Sequence, residues 1–455
     1  MRHIPWTLAL ATLLAPIAGG ADDGWRPPVT RTMLEREFVR FDQDHRALKL
    51  ERQARLQPLQ RRLLDLHADG QPMHCSTQIE NELRWRLNAS TEWSRVDRYL
   101  WLLQTSMLDT EQDFAIEQVP HDGSWGVCYV EWFKKLDPAI DALNRYAAIE
   151  LEPAYPLRFL DPIARADGLI QQLAELRVSD IAADGRDLRQ PLGALTSFVA
   201  ELVYKPPVRS LVNRRTDDLV IDEAYKAEFS SFLDAWQDPA TGYWGPWYRI
   251  DGEIRKATDL SFTYHIVAYR KGDVRLWDRI LATTLAIKDE EYPFGWRFRG
   301  RDTNHNAYDV VRILGLGWQH LDQPQRERAA VEIDRLLRWS VRETLAPDGS
   351  FLPDPDFDGK LSAAYYYGIS LLTKTGYCGT APPFWTEQAW PEAAERCCRI
   401  AERAMALGSV DPTAIAAQQR IEAARPDCPI FARTRPHLVG PASVTRQTED
   451  EAASD

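Results

Sequence analysis

Between residues 220 and 425 one unit recurs three times, and this repetition restricts the possible folds more than any other feature of the chain. Each copy opens on a turn of glycine and an aromatic residue. These are Gly242-Tyr243-Trp244-Gly245, Phe294-Gly295-Trp296 and Asp348-Gly349-Ser350-Phe351, spaced 52 and then 55 residues apart from Trp244 to Trp296 to Phe351. A stretch that is apolar almost all round follows each turn, and then a charged amphipathic stretch at about 274–287, 324–345 and 390–408. A helix apolar on every side must be covered on every side, whereas a helix with one apolar stripe sits at a surface. Alternating the two predicts paired helices, with 259–271, 306–320 and 361–374 on the inside. A unit that cannot bury its own face stacks on its neighbours. The expected fold class is therefore all-α, an α/α toroid of repeated helical hairpins with an N-terminal helical region. An open solenoid or an irregular bundle is the alternative arrangement.

The segments outside the repeat are read as follows. Arg2 and His3 precede an apolar run from Ile4 to Ala18, and small residues follow, the pattern of a cleaved signal peptide over 1–21. The run is shorter than the ~20 apolar residues of a membrane-spanning helix, so no membrane span is expected. Localisation is then periplasmic or extracellular. Residues 22–215 form an N-terminal helical region, with Leu56, Leu59, Leu63 and Leu66 at helical spacing. Further helices are expected near 93–108, 135–148, 160–180 and 190–204, the last stopped by Pro206-Pro207. Arg214 to Asp218 reads as a connecting loop, the toroid occupies 216–430, and 431–455 is a polar acidic tail expected to be disordered.

Charge and cysteine usage exclude some partners. A net charge of −12 without a Lys/Arg cluster argues against nucleic acid. Six cysteines in an exported chain suggest disulfides, and the absence of a CxxC pair argues against zinc. Cys75–Cys128 is one expected bridge. Cys397 and Cys398 point in different directions on a helix, so one of them is expected to pair with Cys378 or Cys428 while the other is buried. Sixteen tryptophans are many for a chain of this length, and aromatic rings stack well on sugars, although most fill helix interfaces.

Two local resemblances sharpen the reading. Gln237 to Trp244 fits Q-x(2–5)-G-x-W, as does Gln118 to Trp125, and this resembles the QW motif of squalene cyclase and prenyltransferase-like toroids. There the motif implies a structural role, with the Gln capping a helix and tying hairpins together. The DxDD acid signature of those cyclases is missing, which weighs against an isoprenoid cyclase-like enzyme. Asn304-His305-Asn306-Ala307-Tyr308-Asp309-Val310 resembles the N-N-H-x-x-W-Y-D-V stretch of alginate-lyase-like polysaccharide lyases, with Thr303 in place of the first Asn. The Asp348-Gly349-Ser350 turn and Tyr365-Tyr366-Tyr367 follow in that family's order. The resemblance implies Asn304 and His305 flanking a sugar acid, with one tyrosine, taken as Tyr365, as the catalytic Tyr.

Lyase chemistry on a uronic acid needs a partner for the carboxylate, a base for the proton at C5 and an acid for the leaving oxygen. Asn304, His305 and Tyr365 are the catalytic candidates, with Arg297, Arg299 or Arg301 for the carboxylate. Trp244, Trp247, His265, Trp296 and Arg299 are the expected substrate contacts. A hydrolase instead needs two carboxylates, for which Asp259, Asp302, Asp309 and Asp348 are available. Asp354, Asp356 and Asp358 match the first half of a calcium loop, but Tyr365 stands where its closing Glu belongs. No HExxH, Walker, Rossmann or G-x-S-x-G motif occurs, so no metal and no cofactor are expected. The reading is an exported carbohydrate-active enzyme, lyase ahead of hydrolase, whose partner is a polysaccharide or oligosaccharide. A non-catalytic glycan-binding or envelope-assembly protein is the alternative.

Overall fold

The computed structural model describes residues 27–434, apart from 72, 89–92, 108–117, 126–130, 149, 354–359, 381 and 409–411. The expected signal peptide, Cys128, the Asp354, Asp356 and Asp358 loop and most of the acidic tail lie outside the described residues. The chain is mostly helical, and no described helix is long and apolar enough to cross a membrane.

In chain order the helices are α1 (Arg31–Ala68), α2 (His74–Asn88), α3 (Trp93–Ser106), α4 (Leu136–Ala148), α5 (Ala166–Leu176), α6 (Ile181–Asp184), α7 (Arg189–Tyr204), α8 (Pro206–Arg215) and α9 (Glu223–Trp236). They continue with α10 (Leu260–Tyr269), α11 (Trp277–Ala286), α12 (Asn304–Gly317), α13 (Gln323–Trp339), α14 (Leu361–Lys374), α15 (Ala393–Met405), α16 (Pro412–Ala424) and α17 (Pro429–Thr434). A three-stranded sheet of β1 (Val178–Ser179), β2 (Trp247–Ile250) and β3 (Glu253–Lys256) pairs β1 parallel and β3 antiparallel to β2.

The three all-apolar stretches became α10, α12 and α14, and they neighbour one another in that order. The row extends in both directions, because α7 packs on α10, α4 on α7, and α16 on α14. The amphipathic partners α11, α13 and α15 pack outside, on α12, α12 and α16. Val310, Val311, Ile313 and Leu314 of α12 are fully covered, and each such side chain contributes roughly 1.5–3 kcal/mol. That burial is what holds a helix with polar ends in the middle of the row.

Three of the Gly/aromatic turns share a closely similar hydrogen-bond pattern. At the second, Asp238 N–H donates to the Tyr243 carbonyl and Gly242 N–H to that of Asp238. At the first, Val119 N–H donates to Ser124 and Gly123 N–H to Val119, and at the last Ala346 N–H donates to Ser350 and Gly349 N–H to Ala346. Gly242 has φ +71°, and a Cβ there would sit 2.7 Å from the Ile280 nitrogen in α11, so the turn closes directly onto the next outer helix. Gln237 Nε2 donates to the carbonyls of Gly242 and Arg275, both at 2.8 Å, and Gln118 Nε2 does the same to Gly123 and Tyr155. Each Gln thus ties its own turn to the segment entering the following outer layer.

Some expectations need correction. One continuous core runs from Trp125 to Phe431, so the packing has no boundary at 215/216. The separate cluster is N-terminal, where Leu56 and Leu63 of α1 meet Ile79, Leu83, Val96 and Leu103 of α2 and α3. Pro206-Pro207 ends α7 but also begins α8, which takes in Arg214 and Arg215, because Pro at the first helical positions removes only an N–H that has no helical partner. The strands were not expected, being only two to four residues long. Both adjacent cysteines are bridged: Cys378 to Cys397 and Cys398 to Cys428. The two side chains leave α15 in different directions, and each finds a partner on its own side.

Candidate functional site

Thr303, not Asn304, caps α12, its Oγ1 accepting from Asn306 N–H at 3.2 Å. Asn304 is 3 % exposed, and both ends of its amide bond the turn that follows α13. Ser340 Oγ donates to its Oδ1 at 2.7 Å, and its Nδ2 donates to Thr344 Oγ1 at 3.0 Å. It lines a cavity of about 290 Å³ with Arg301, Glu343 and Thr344. The Asn304 side chain thus faces the turn that follows α13, whereas His305 faces Tyr367.

His305 follows by one helical step and turns inward. Its Nε2 lies 3.8 Å from Asp309 Oδ2 one turn on, and its ring meets Tyr367 at 4.5 Å and Tyr292 at 5.6 Å between centroids. Tyr366 and Tyr367 face the same interior, and Tyr308 and Tyr264 continue the aromatic wall. Tyr365 does not. It is 2 % exposed and packs edge-on against Phe351 in the core, so the tyrosine taken from family order is replaced by its neighbours.

His265, on α10, stacks on Tyr269 and lines a cavity of about 310 Å³ with Asp137, Arg189, Gln190, Ser197, Glu201, Ser261 and Tyr269. Burial first, and the nearby His305 second, lower its pKa to about 4. Its imidazole is therefore neutral near pH 7 and able to accept a proton. Burial pushes Tyr264, Tyr269 and Tyr367 well above the ordinary phenol range, so they are protonated donors. Glu201 holds the other end of the cavity, accepting from Tyr269 Oη at 2.8 Å, Asn144 Nδ2 at 2.9 Å and Lys205 Nζ at 2.5 Å. From Arg189 to Glu201 along α7 is roughly 18 Å at the usual helical rise.

The remaining expected contacts fall elsewhere. Trp244 and Trp296 are 0 % and 1 % exposed, covered on both faces, so no sugar ring reaches them. Trp244 Nε1 donates to the Leu233 carbonyl at 2.7 Å, and Asn306 Nδ2 donates to the Trp296 carbonyl at 2.9 Å. Trp247 belongs to β2, where the Arg177 guanidinium covers its ring at 4.0 Å. Arg299 is an exposed loop residue whose backbone N–H donates to Glu291, and Arg297 is held by Asp289 and Asp302. Among the carboxylates, Asp259 caps α10 and binds Arg189, Asp302 binds Arg335, and Asp348 pairs with Arg403 at the surface. No group of three or more metal-ligating side chains occurs among the described residues.

Sequence reasoning missed Arg189, Glu201, Asp137, Tyr292 and Tyr269, three of them in segments not assigned to the repeat. The available signal was the first Gln–Gly–Trp turn at 118–125, which predicts an inner helix after it. The arrangement as a whole offers a neutral imidazole at His265, the His305 imidazole beside Asp309, protonated phenols and a few fixed charges. The chain matches no family model, no curated protein and no solved structure.

Proposed function

We propose that this chain is an exported α/α-toroid enzyme that processes an acidic polysaccharide or oligosaccharide by β-elimination. The row α4, α7, α10, α12, α14, α16 supports the toroid, with its inner faces bounding a funnel. The two bridges involving Cys378, Cys397, Cys398 and Cys428 support an oxidising compartment. One observation carries the activity: two histidines on successive inner helices, His265 and His305, lie close enough to depress the protonation of His265, beside the protonated phenol of Tyr367.

In this reading His305, oriented by Asp309, takes the proton at C5 of a uronic acid. The C5–H electron pair forms the C4=C5 double bond, the C4–O bond breaks, and Tyr367 returns a proton to the leaving oxygen. Gln190 and the remaining N–H donors of Arg189 line the neighbouring His265 cavity and would supply the donors for the uronate carboxylate. His265 keeps its side of the cavity uncharged.

Hydrolysis is the second reading, favoured by one specific feature. Asp137 and Glu201 line the same cavity, and burial pushes the Asp137 carboxyl up, as a general acid requires. Incubation with a panel of uronate polysaccharides separates the two. Elimination gives products with the ultraviolet absorbance of a C4=C5 uronate, and His305→Ala lowers kcat by roughly 10²–10⁴ with the melting temperature nearly unchanged. Reducing ends without that absorbance, lost in Asp137→Asn but not in His305→Ala, would assign hydrolysis. Saturable glycan binding without any product would leave the non-catalytic alternative.

A further inference from the structure

Arg420 is the one charged side chain of α16 that reaches into the tyrosine wall. Its guanidinium donates to Tyr366 Oη at 2.5 Å, Tyr308 Oη at 3.3 Å and Ser370 Oγ, and it lies 4.2 Å from the Tyr366 ring centroid. All of these partners are neutral. No carboxylate pairs with Arg420 among the described residues, although the chain as a whole carries twelve more acids than Lys and Arg. A partly buried guanidinium without a counter-ion is costly, because hydroxyls replace only part of its hydration.

Two further cations share this face. Arg312 stands one helical turn beyond Tyr308 on α12, and Lys374 one turn beyond Ser370 on α14, so both continue the faces that Arg420 touches. All three are partly buried, and neither Arg312 nor Lys374 has a carboxylate partner among the described residues. Burial and the two arginines together lower the Lys374 pKa, which places the three charges in one field. On α16, Glu422 stands two residues from Arg420 and so projects from the opposite side of the helix.

We propose that Arg420, backed by Lys374 and Arg312, is an anion subsite in the funnel wall that holds a carboxylate or sulfate ester of the glycan beyond the reacting sugar. It is joined to the reacting centre through the continuous ring contacts of Tyr366, Tyr367 and His305. The subsite rests on the carbohydrate reading of the funnel, and it makes the substrate a polyanionic chain rather than one with an isolated acid. The ligand supplies a counter-ion that the described residues do not, so binding relieves the cost of the buried charge.

The test measures binding by the full chain carrying His305→Ala, so that no turnover interferes. The probes are a hexauronate, the same hexasaccharide with its carboxyls reduced, and a sulfated neutral hexasaccharide. Either charged probe should bind at least about tenfold more tightly than the reduced one, and adding Arg420→Gln should remove that preference while leaving the reduced probe unaffected. Arg420→Lys should keep part of it, and whichever charged probe responds identifies the anion. Lys374→Gln and Arg312→Gln lie at half-exposed positions, and each should lower the preference by a few-fold if Arg420→Gln does not fold. A preference absent from the parent, or surviving both Arg420→Gln and the Lys374→Gln, Arg312→Gln pair, overturns the subsite. If Arg420-dependent binding is found while the chain with His305 intact forms no product, the enzyme reading fails and the subsite stands. Product formation with a preference indifferent to Arg420 keeps the enzyme and removes the subsite.

Discussion

Replacing His265 by Gln should flatten the acid side of the stability profile. In the folded chain the imidazole pKa is about 4, against 6.5 for an ordinary histidine, because burial first and His305 second disfavour the charged form. Between those values the unfolded chain binds a proton that the folded chain does not. Stability therefore rises with pH through this window and is lost as pH falls from about 6.5 towards 4. A difference of ~2.5 units at ~1.4 kcal/mol each gives a loss of roughly 3 kcal/mol for the parent over that range. Gln cannot protonate, so the variant lacks this loss while sharing every other titration. Urea denaturation of both proteins at pH 7, 6, 5 and 4 measures the difference between them, in which other groups cancel. The gap should open in favour of the variant by roughly 2–3 kcal/mol at pH 4 relative to pH 7. Parallel profiles would show that His265 is not a buried neutral imidazole, and the proton-acceptor reading of the cavity would lose its basis.

Gln237→Ala leaves the carbonyls of Gly242 and Arg275 without their donor, at ~1–3 kcal/mol for each unpaired group, and a clear fall in melting temperature should follow. Tyr365→Phe should leave turnover unchanged because Tyr365 packs on Phe351, whereas Tyr367→Phe should lower kcat by roughly 10²–10⁴; equal effects would contradict the reassignment. Peptide mapping under non-reducing conditions should recover Cys378–Cys397 and Cys398–Cys428, and Cys398→Ser should cost ~2–4 kcal/mol.

The site was less legible than the helices, for reasons visible in particular residues. Asn304 and His305 are adjacent in sequence, but a step of about 100° along α12 sends one to Ser340 and Thr344 and the other to Tyr367. Order along the chain pointed to Tyr365, while the choice among three consecutive tyrosines depends on which face α14 turns inward. Glu201 and Arg420 gave only weak signals, as single charges within apolar or alanine-rich helices. Trp244 and Trp296 looked like ligand platforms because exposure is not written in a turn motif.

The sequence by itself determined the helical class, the apolar stretches that became α10, α12 and α14, and the turns before them. Helical periodicity and the glycine requirement at Gly242 and Gly349 are local properties, encoded within a few residues. Tertiary structure alone decided that α4, α7 and α16 join the same row, that both adjacent cysteines are bridged, and that His305 meets Tyr367 and Tyr292. Those outcomes depend on how distant segments rotate and stack against one another. They follow from burying the apolar faces of several helices at once, a condition that no single segment carries.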